Sequence, residues 1–197
     1  MKYRLGLTGS MGMGKSTTAE MFAAQGCVVW DADATVHALY AQGGAAVAPL
    51  GELCPQIVVE NAVDRGALRA ALASDDTLLA KVEAVVHPLV QASRGAFMAD
   101  NPDKIGVFDI PLLYETGAEV DMDGVACVNV SRETQISRIL ARGTMNEADI
   151  SRILSRQMPN SEKCARADWV IETESFDEAQ RQVTAILADI QKVTPHA

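Results

Sequence analysis

This sequence predicts an α/β fold, a five-stranded parallel sheet with helices on both faces, and three observations predict it. Short apolar runs alternate with stretches of helical periodicity from Tyr3-Arg4-Leu5-Gly6-Leu7-Thr8 to the amphipathic Phe176–Lys192. The first run leads directly into Gly9-Ser10-Met11-Gly12-Met13-Gly14-Lys15-Ser16, which satisfies G-x-x-x-x-G-K-[ST] at every fixed position. No repeat, linker or low-complexity tract interrupts the 197 residues, and 48% hydrophobic residues supply the core of a single domain.

The glycine-rich stretch reads as a phosphate-binding loop between a buried strand and a helix that Ser16-Thr17-Thr18 opens. Glycines let the backbone turn its N–H groups inward, and the positive end of the helix faces the same concavity. Gly9, Ser10, Met11, Gly12, Met13, Gly14, Lys15, Ser16 and Thr17 are therefore the nucleotide-binding candidates. Lys15 reaches for the β- and γ-phosphates, and Ser16 offers a hydroxyl to Mg²⁺.

Gly26 closes the first helix, and Cys27-Val28-Val29-Trp30 is a second strand that delivers Asp31-Ala32-Asp33 to its C-terminal end. In open parallel sheets that end carries the ligand crevice. One of the two aspartates can equally serve as the N-cap of the helix that follows. Residues 43–63 read as irregular, with Gly, Pro and short apolar pieces, and Asp64 to Leu72 as a short helix with Arg65 and Arg69 on one face. A longer helix follows from Ser74 or Asp75 to Met98, broken or kinked at His87-Pro88. Residues 43–98 thus form a helical insertion. His87 taken alone fits a packed or capping residue better than a catalytic one.

Lys104 to Asp109 is the third strand, ending on an acidic residue suited to Mg²⁺ or its water. Gly124 to Val130 is the fourth, and Ser131 caps a helix carrying Arg132, Arg138 and Arg142. Asn146 with Asp149 resembles a capping box for a helix bearing Arg152 and Arg156. Between Arg132 and Arg166 seven basic residues meet four acidic ones, so the segment carries +3 while the rest of the chain carries −12. Such a basic stretch in an acidic protein suits a lid over phosphates, residues 132–166. Asp168-Trp169-Val170-Ile171 is the fifth strand, and the closing helix turns Val183, Ile186, Leu187 and Ile190 inward. The core is then residues 1–42, 99–131 and 167–197 of a single domain.

A net charge of −9 argues against general affinity for nucleic acid or anionic membrane. Cys27, Cys54, Cys127 and Cys164 are too scattered for a zinc site and read as buried thiols of a reducing compartment. With a strand beginning almost at Met1 and no long apolar span, the expectation is a soluble cytoplasmic protein without a signal peptide. No Asn-Lys-x-Asp appears to read guanine, and no second ATPase module or coupling element appears to run a motor. A small-molecule kinase using ATP remains. Its rivals are a nucleoside-monophosphate or shikimate-type kinase and a nucleotide-dependent binding protein without chemistry.

Taken together, the loop from Leu7 to Ser16, Asp31-Ala32-Asp33 with His37, Asp64-Arg65 with Leu68, and His87-Pro88-Leu89 resemble the dephospho-CoA kinase family. So do Asp109-Ile110-Pro111-Leu112-Leu113 with Glu115, the Arg138 and Arg142 helix, Arg152 with Gln157, and Ala167-Asp168, so that the likeness covers nearly the full length. The resemblance implies a P-loop kinase that transfers the γ-phosphate of ATP to the 3′-hydroxyl of dephospho-CoA, the last step of coenzyme A synthesis. Residues 43–98 are the expected acceptor-binding insertion; the sequence does not dictate the oligomeric state, for which a monomer is the expectation. Asp33 would orient the acceptor hydroxyl and take its proton. Lys15, Arg138 and Arg142 would stabilise the charge in transfer, and Ser16 and Asp109 would hold Mg²⁺, the latter through water. Arg65, His87 and Leu112 join Asp33 as substrate-binding candidates. Where the family has Asn and then Gly after its fifth strand, this chain has Thr173 and Ser175, so that loop is not assigned to the site. The acidic residue that follows the lid arginine in the family is Gly143 here.

Overall fold

The computed structural model describes every residue except Thr144, Arg156 and 195–197, and only the backbone at Glu147 and Ala148. In chain order the elements are β1 (Tyr3–Thr8), α1 (Lys15–Ala24), β2 (Val28–Asp31), α2 (Ala32–Tyr40), α3 (Val47–Leu53), β3 (Val58–Val59), β4 (Ala62–Val63), α4 (Arg65–Ser74) and α5 (Leu78–Asp100). There follow β5 (Ile105–Asp109), β6 (Gly124–Asn129), α6 (Arg132–Ala141), α7 (Glu147–Leu154), α8 (Asn160–Arg166), β7 (Trp169–Glu172) and α9 (Phe176–Val193). Two short 3-10 turns, Pro55–Ile57 and Ala118–Asp121, complete the described elements.

The expected five-stranded parallel sheet is present, in the order β2-β5-β1-β6-β7. β1 is its central strand, flanked in parallel register by β5 (Leu7 opposite Asp109) and β6 (Thr8 opposite Cys127). Being covered on both faces, its strands read as continuous apolar runs rather than alternating ones; Leu5, Leu7, Val107, Phe108, Ala126, Val128 and Ile171 are fully buried. The face covered by α1 and α9 is closed by Phe22 of α1 and by Val183, Ile186, Leu187 and Ile190 of α9. Side chains of this size each contribute about 1.5–3 kcal/mol on leaving water. The 3.6-residue period of α9, with Ser175 as its cap, is what aims them at the sheet.

By its internal contacts the chain divides into two compact units, residues 1–30 with 101–197, and residues 31–100. The second unit begins at Asp31, so it takes in α2 as well as the stretch from residue 43. Its core gathers Val47, Leu50, Ile57, Leu68, Val82 and Val86. The stretch that reads as irregular contains α3 and a tight β3–β4 hairpin, whose turn residues Glu60 and Asn61 have φ of 49° and 60°. Asn suits that left-handed position, but Glu gives no such signal.

Pro88 does not break its helix: α5 runs unbroken from Leu78 to Asp100. His87 and Pro88 are exposed, while Val82 and Val86 are buried in the unit's core. The ring therefore faces water and the helix forgoes one hydrogen bond, which its packed face outweighs.

Candidate functional site

The loop between β1 and α1 has the form that phosphate binding needs. Gly12 and Gly14 have φ of 83° and 92°, in the left-handed region. A Cβ on Gly12 would lie 2.7 Å from Ile139 Cγ1, and one on Gly14 would lie 2.9 Å from Thr173 Oγ1, so both positions need glycine twice over. α1 begins at Lys15 without a side-chain cap, and its first N–H groups are thereby left to an anion.

Three side chains from distant parts of the chain hold this loop from outside. Asn160 of α8 accepts from Ser10 N at 2.9 Å, and Gln135 of α6 donates from Nε2 to the Met11 carbonyl at 2.7 Å. The Thr173 hydroxyl donates to the Met13 carbonyl at 2.7 Å. Gln135 is itself oriented by Arg132, which donates to its Oε1 at 2.8 Å. Both Gln135 and Thr173 are buried, so these bonds are formed away from competing water.

Lys15 Nζ is bonded to Oδ1 of Asp109, the buried last residue of β5. The parallel register explains the meeting, since Asp109 lies opposite Leu7, near the end of the strand from which the loop leaves. Ser16 and Thr17 are exposed on the first turn of α1. Among the described residues no group of three or more His, Cys, Asp or Glu could hold a metal by itself. A single hydroxyl and a single carboxylate beside a phosphate loop nevertheless suit Mg²⁺, which takes most of its ligands from phosphates and water.

A cavity of about 390 Å³ opens beside the loop, lined by Gly12, Gly14, Thr17, Arg138, Arg142, Thr173, Ser175 and Phe176 among others. Arg138 donates to Thr173 Oγ1 at 3.0 Å and to the Thr173 carbonyl at 2.6 Å. Arg138 and Arg142 therefore line the same cavity as Gly12, Gly14 and Thr17 of the phosphate loop. The loop after β7, left out of the site on sequence grounds, lines the cavity as well: Thr173 bridges Arg138 and the Met13 carbonyl through its hydroxyl, a role that Asn is not needed to fill. Arg152 is used otherwise, in an exposed pair with Asp149 at 2.7 Å. Arg156 lies outside the described residues.

Below Asp109 the turn Pro111–Glu115 is fixed by Lys163, whose side chain is fully buried. Its ammonium donates to the Pro111 carbonyl at 2.7 Å and pairs with Glu115 at 2.8 Å. Burial works against charge on Glu115, but the bonds from Lys163 and from Met158 N outweigh it and hold the carboxyl below the usual carboxylate range. Leu112, in the same turn, is 40% exposed.

In the second unit Asp31 takes the capping role, accepting from Ala34 N at 2.9 Å at the start of α2. Asp33, in the first turn of α2, is exposed and not used as the cap. His37, one turn further along, meets Arg65: Nη1 lies 2.6 Å from His37 Nε2. Asp64 caps α4 through Ala67 N at 2.7 Å, and so sets the helix start from which Arg65 projects. His87 is exposed on α5 and makes no hydrogen bond among the described residues.

Four residues that hold the site were missed by sequence reasoning: Gln135, Asn160, Lys163 and Thr173. α8, which carries two of them, was missed too, although Pro159 ahead of it is a helix-start signal.

With this geometry in view, similarity to known proteins is informative. A sequence profile of the dephospho-CoA kinase family, CoaE, matches residues 3–178. A dephospho-CoA kinase of Ruegeria pomeroyi is 53% identical over 197 residues, 100% of both chains. One of Cereibacter sphaeroides is 53% identical over 190 residues, 96% of each chain. Among solved structures, a Thermus thermophilus protein matches with a TM-score of 0.84 and 32% identity, over 95% of this chain and 97% of that one. The Campylobacter jejuni dephospho-CoA kinase, 21% identical, matches in fold over 98% of each chain with a TM-score of 0.70.

Proposed function

The chain belongs to the dephospho-CoA kinase family, and from that premise we propose that it transfers the γ-phosphate of ATP to the 3′-hydroxyl of dephospho-CoA, giving coenzyme A and ADP. The observation that carries this reading at the site is the Lys15–Asp109 pair beneath a glycine loop whose helix start is free for an anion. ATP sits with its phosphates on residues Gly9 to Thr17. Its base occupies the cavity flanked by Thr173, Ser175 and Phe176.

In the transfer, the Asp33 carboxylate takes the 3′-hydroxyl proton as that oxygen bonds to the γ-phosphorus. The bond from that phosphorus to the β–γ bridging oxygen breaks, and ADP leaves with the electron pair. Lys15 exchanges its bond to Asp109 for the γ-phosphate, and Arg138 and Arg142 meet the same charge, which is where phosphoryl transfer gains most of its rate. Ser16 Oγ and Asp109 are the groups to hold Mg²⁺, which when bound offsets phosphate charge. Arg65, Leu112 and His87 bind the acceptor. The segment 132–166 closes over the phosphates from two buried anchors, Gln135 on α6 and Lys163 on α8, so that α7 between them does the covering.

No helix among the described residues is long and apolar enough to cross a membrane, and we place the reaction in the cytoplasm, carried out by a monomer. Neither another small P-loop kinase nor a binding protein without chemistry has an observation in its favour, since relatives named dephospho-CoA kinase match along the whole chain. ADP release measured with dephospho-CoA, AMP and shikimate in parallel tests the reading. Rapid release with dephospho-CoA alone is expected, and faster turnover of either rival acceptor overturns it.

A further inference from the structure

We propose that His37 is a positioning residue for the acceptor: its neutral imidazole holds the Arg65 guanidinium in place without neutralising it. The inference rests on the reading of Arg65 as an acceptor-binding group. An arginine cannot accept a hydrogen bond, so at 2.6 Å the Arg65 Nη1 must donate and His37 Nε2 must accept. The ring then carries its one proton on Nδ1.

The chemistry of this pairing differs from that of the ion-paired arginines and resembles that of Arg132 and Arg138, which also donate to neutral acceptors. Arg4, Arg152, Arg166 and Arg181 each meet a carboxylate, whereas Arg65 forms no ion pair among the described residues. A carboxylate would orient the guanidinium and cancel its charge. An imidazole orients it and leaves the full positive charge for an incoming anion. Arg65 follows the cap residue Asp64, so its backbone is fixed by the start of α4, and the imidazole on α2 fixes the far end of the side chain. A long side chain held at both ends surrenders less rotamer entropy when the ligand arrives, and that gain appears in affinity. The anion matched to a fixed planar guanidinium is a phosphate or pyrophosphate, which dephospho-CoA carries. His37 lies one helical turn from Asp33 on α2, so the helix that carries the proposed base also carries the group that orients the acceptor's anchor.

Steady-state ADP release by the full chain, with dephospho-CoA and ATP varied in turn, tests this. His37→Ala should raise KM for dephospho-CoA about tenfold, the scale of one charge-assisted hydrogen bond, with kcat and KM for ATP unchanged. His37→Gln, whose amide oxygen accepts the same bond, should recover most of that loss. In an Arg65→Ala background, His37→Ala should add nothing further. In the unmodified protein, ¹⁵N shifts of the His37 ring at alkaline pH should report the Nδ1–H tautomer. An active enzyme whose acceptor KM ignores His37→Ala overturns the inference alone, as do failure of His37→Gln to recover affinity, additive losses, or the Nε2–H tautomer. A wild-type protein that releases no ADP with dephospho-CoA overturns the underlying reading, and this inference with it.

Discussion

The phosphate loop of the first unit and the Asp33–His37–Arg65 group of the second are built on opposite principles. The loop is held by Gln135, Asn160 and Thr173 through hydrogen bonds that are wholly or partly buried, and Lys15 rests on the buried Asp109. Asp33 and Arg65 stand exposed in the first turns of their helices and His37 exposed in the last turn of α2, with one hydrogen bond between two of the three. Contacts of the first kind stabilise the fold and shape the site together, so neither can be altered alone. Contacts of the second kind contribute little to folding. Substitutions on the acceptor side should therefore change kinetics and leave Tm untouched, whereas those around the loop should change both.

The widest separation is expected at Asp33. Asp33→Asn lowers kcat about 10²- to 10⁴-fold, the contribution of a general base, with Tm and KM for ATP unchanged. Asp31→Asn preserves turnover, because Asn caps a helix as well as Asp does. Normal turnover by Asp33→Asn beside a dead Asp31→Asn would exchange their roles. Next comes Lys15→Met, which should lower kcat about 10²- to 10³-fold. It also lowers Tm, because Asp109 is left buried without its ammonium. Adding Asp109→Asn should bring Tm back but not turnover, and an unchanged Tm in the single variant would put Lys15 on the acceptor side of the comparison.

Lys163 probes stability more than rate. Lys163→Met strands Glu115 and should cost about 3–5 kcal/mol in urea unfolding, most of it regained in the double variant with Glu115→Leu. Because the native Glu115 carboxyl is held below its ordinary range, the unfolded chain binds more protons in that window. Its contribution is complete above the unfolded value of about 4.3 and is lost as pH falls through the lower native one. Glu115→Gln should therefore flatten the acid limb of the stability profile, and an unaltered limb would count against the pairing. The smallest effect is expected from Thr173→Val, which loses about 1 kcal/mol and raises KM for ATP about fivefold, the same energy read as binding. A change in only one of these would separate loop geometry from loop stability.

What could be read from residues alone follows the same division. The strand–loop–helix at Gly9–Ser16 was legible because glycine at φ near 90° and a lysine at the helix start are local demands, written where they act. The parallel sheet was legible from its apolar runs. The clamps were not, because each joins residues far apart: Ser10 to Asn160, Met11 to Gln135, Met13 to Thr173. Lys163 misleads in a further way, since a fully buried lysine contradicts the polar face that its helix presents in sequence. Pro88 misleads in the other direction, as its local cost is real but its exposed position makes that cost bearable. On the acceptor side, the i, i+4 spacing of Asp33 and His37 was in plain view, yet the partner of His37 is 28 residues away on another helix.

The strand that carries the phosphate loop is hydrogen-bonded on both edges, to β5 and to β6. Amides in such a strand reach solvent only when the sheet itself opens, so their exchange reports global unfolding. Affinity for ATP is thus tied to the last cooperative unit to fail. On heating or in denaturant it should disappear with that unit and not ahead of it. Acceptor recognition, which we propose rests on exposed side chains of α2 and α4, should be lost as soon as those two helices fray. A partly opened molecule of this enzyme would still sequester ATP and transfer nothing.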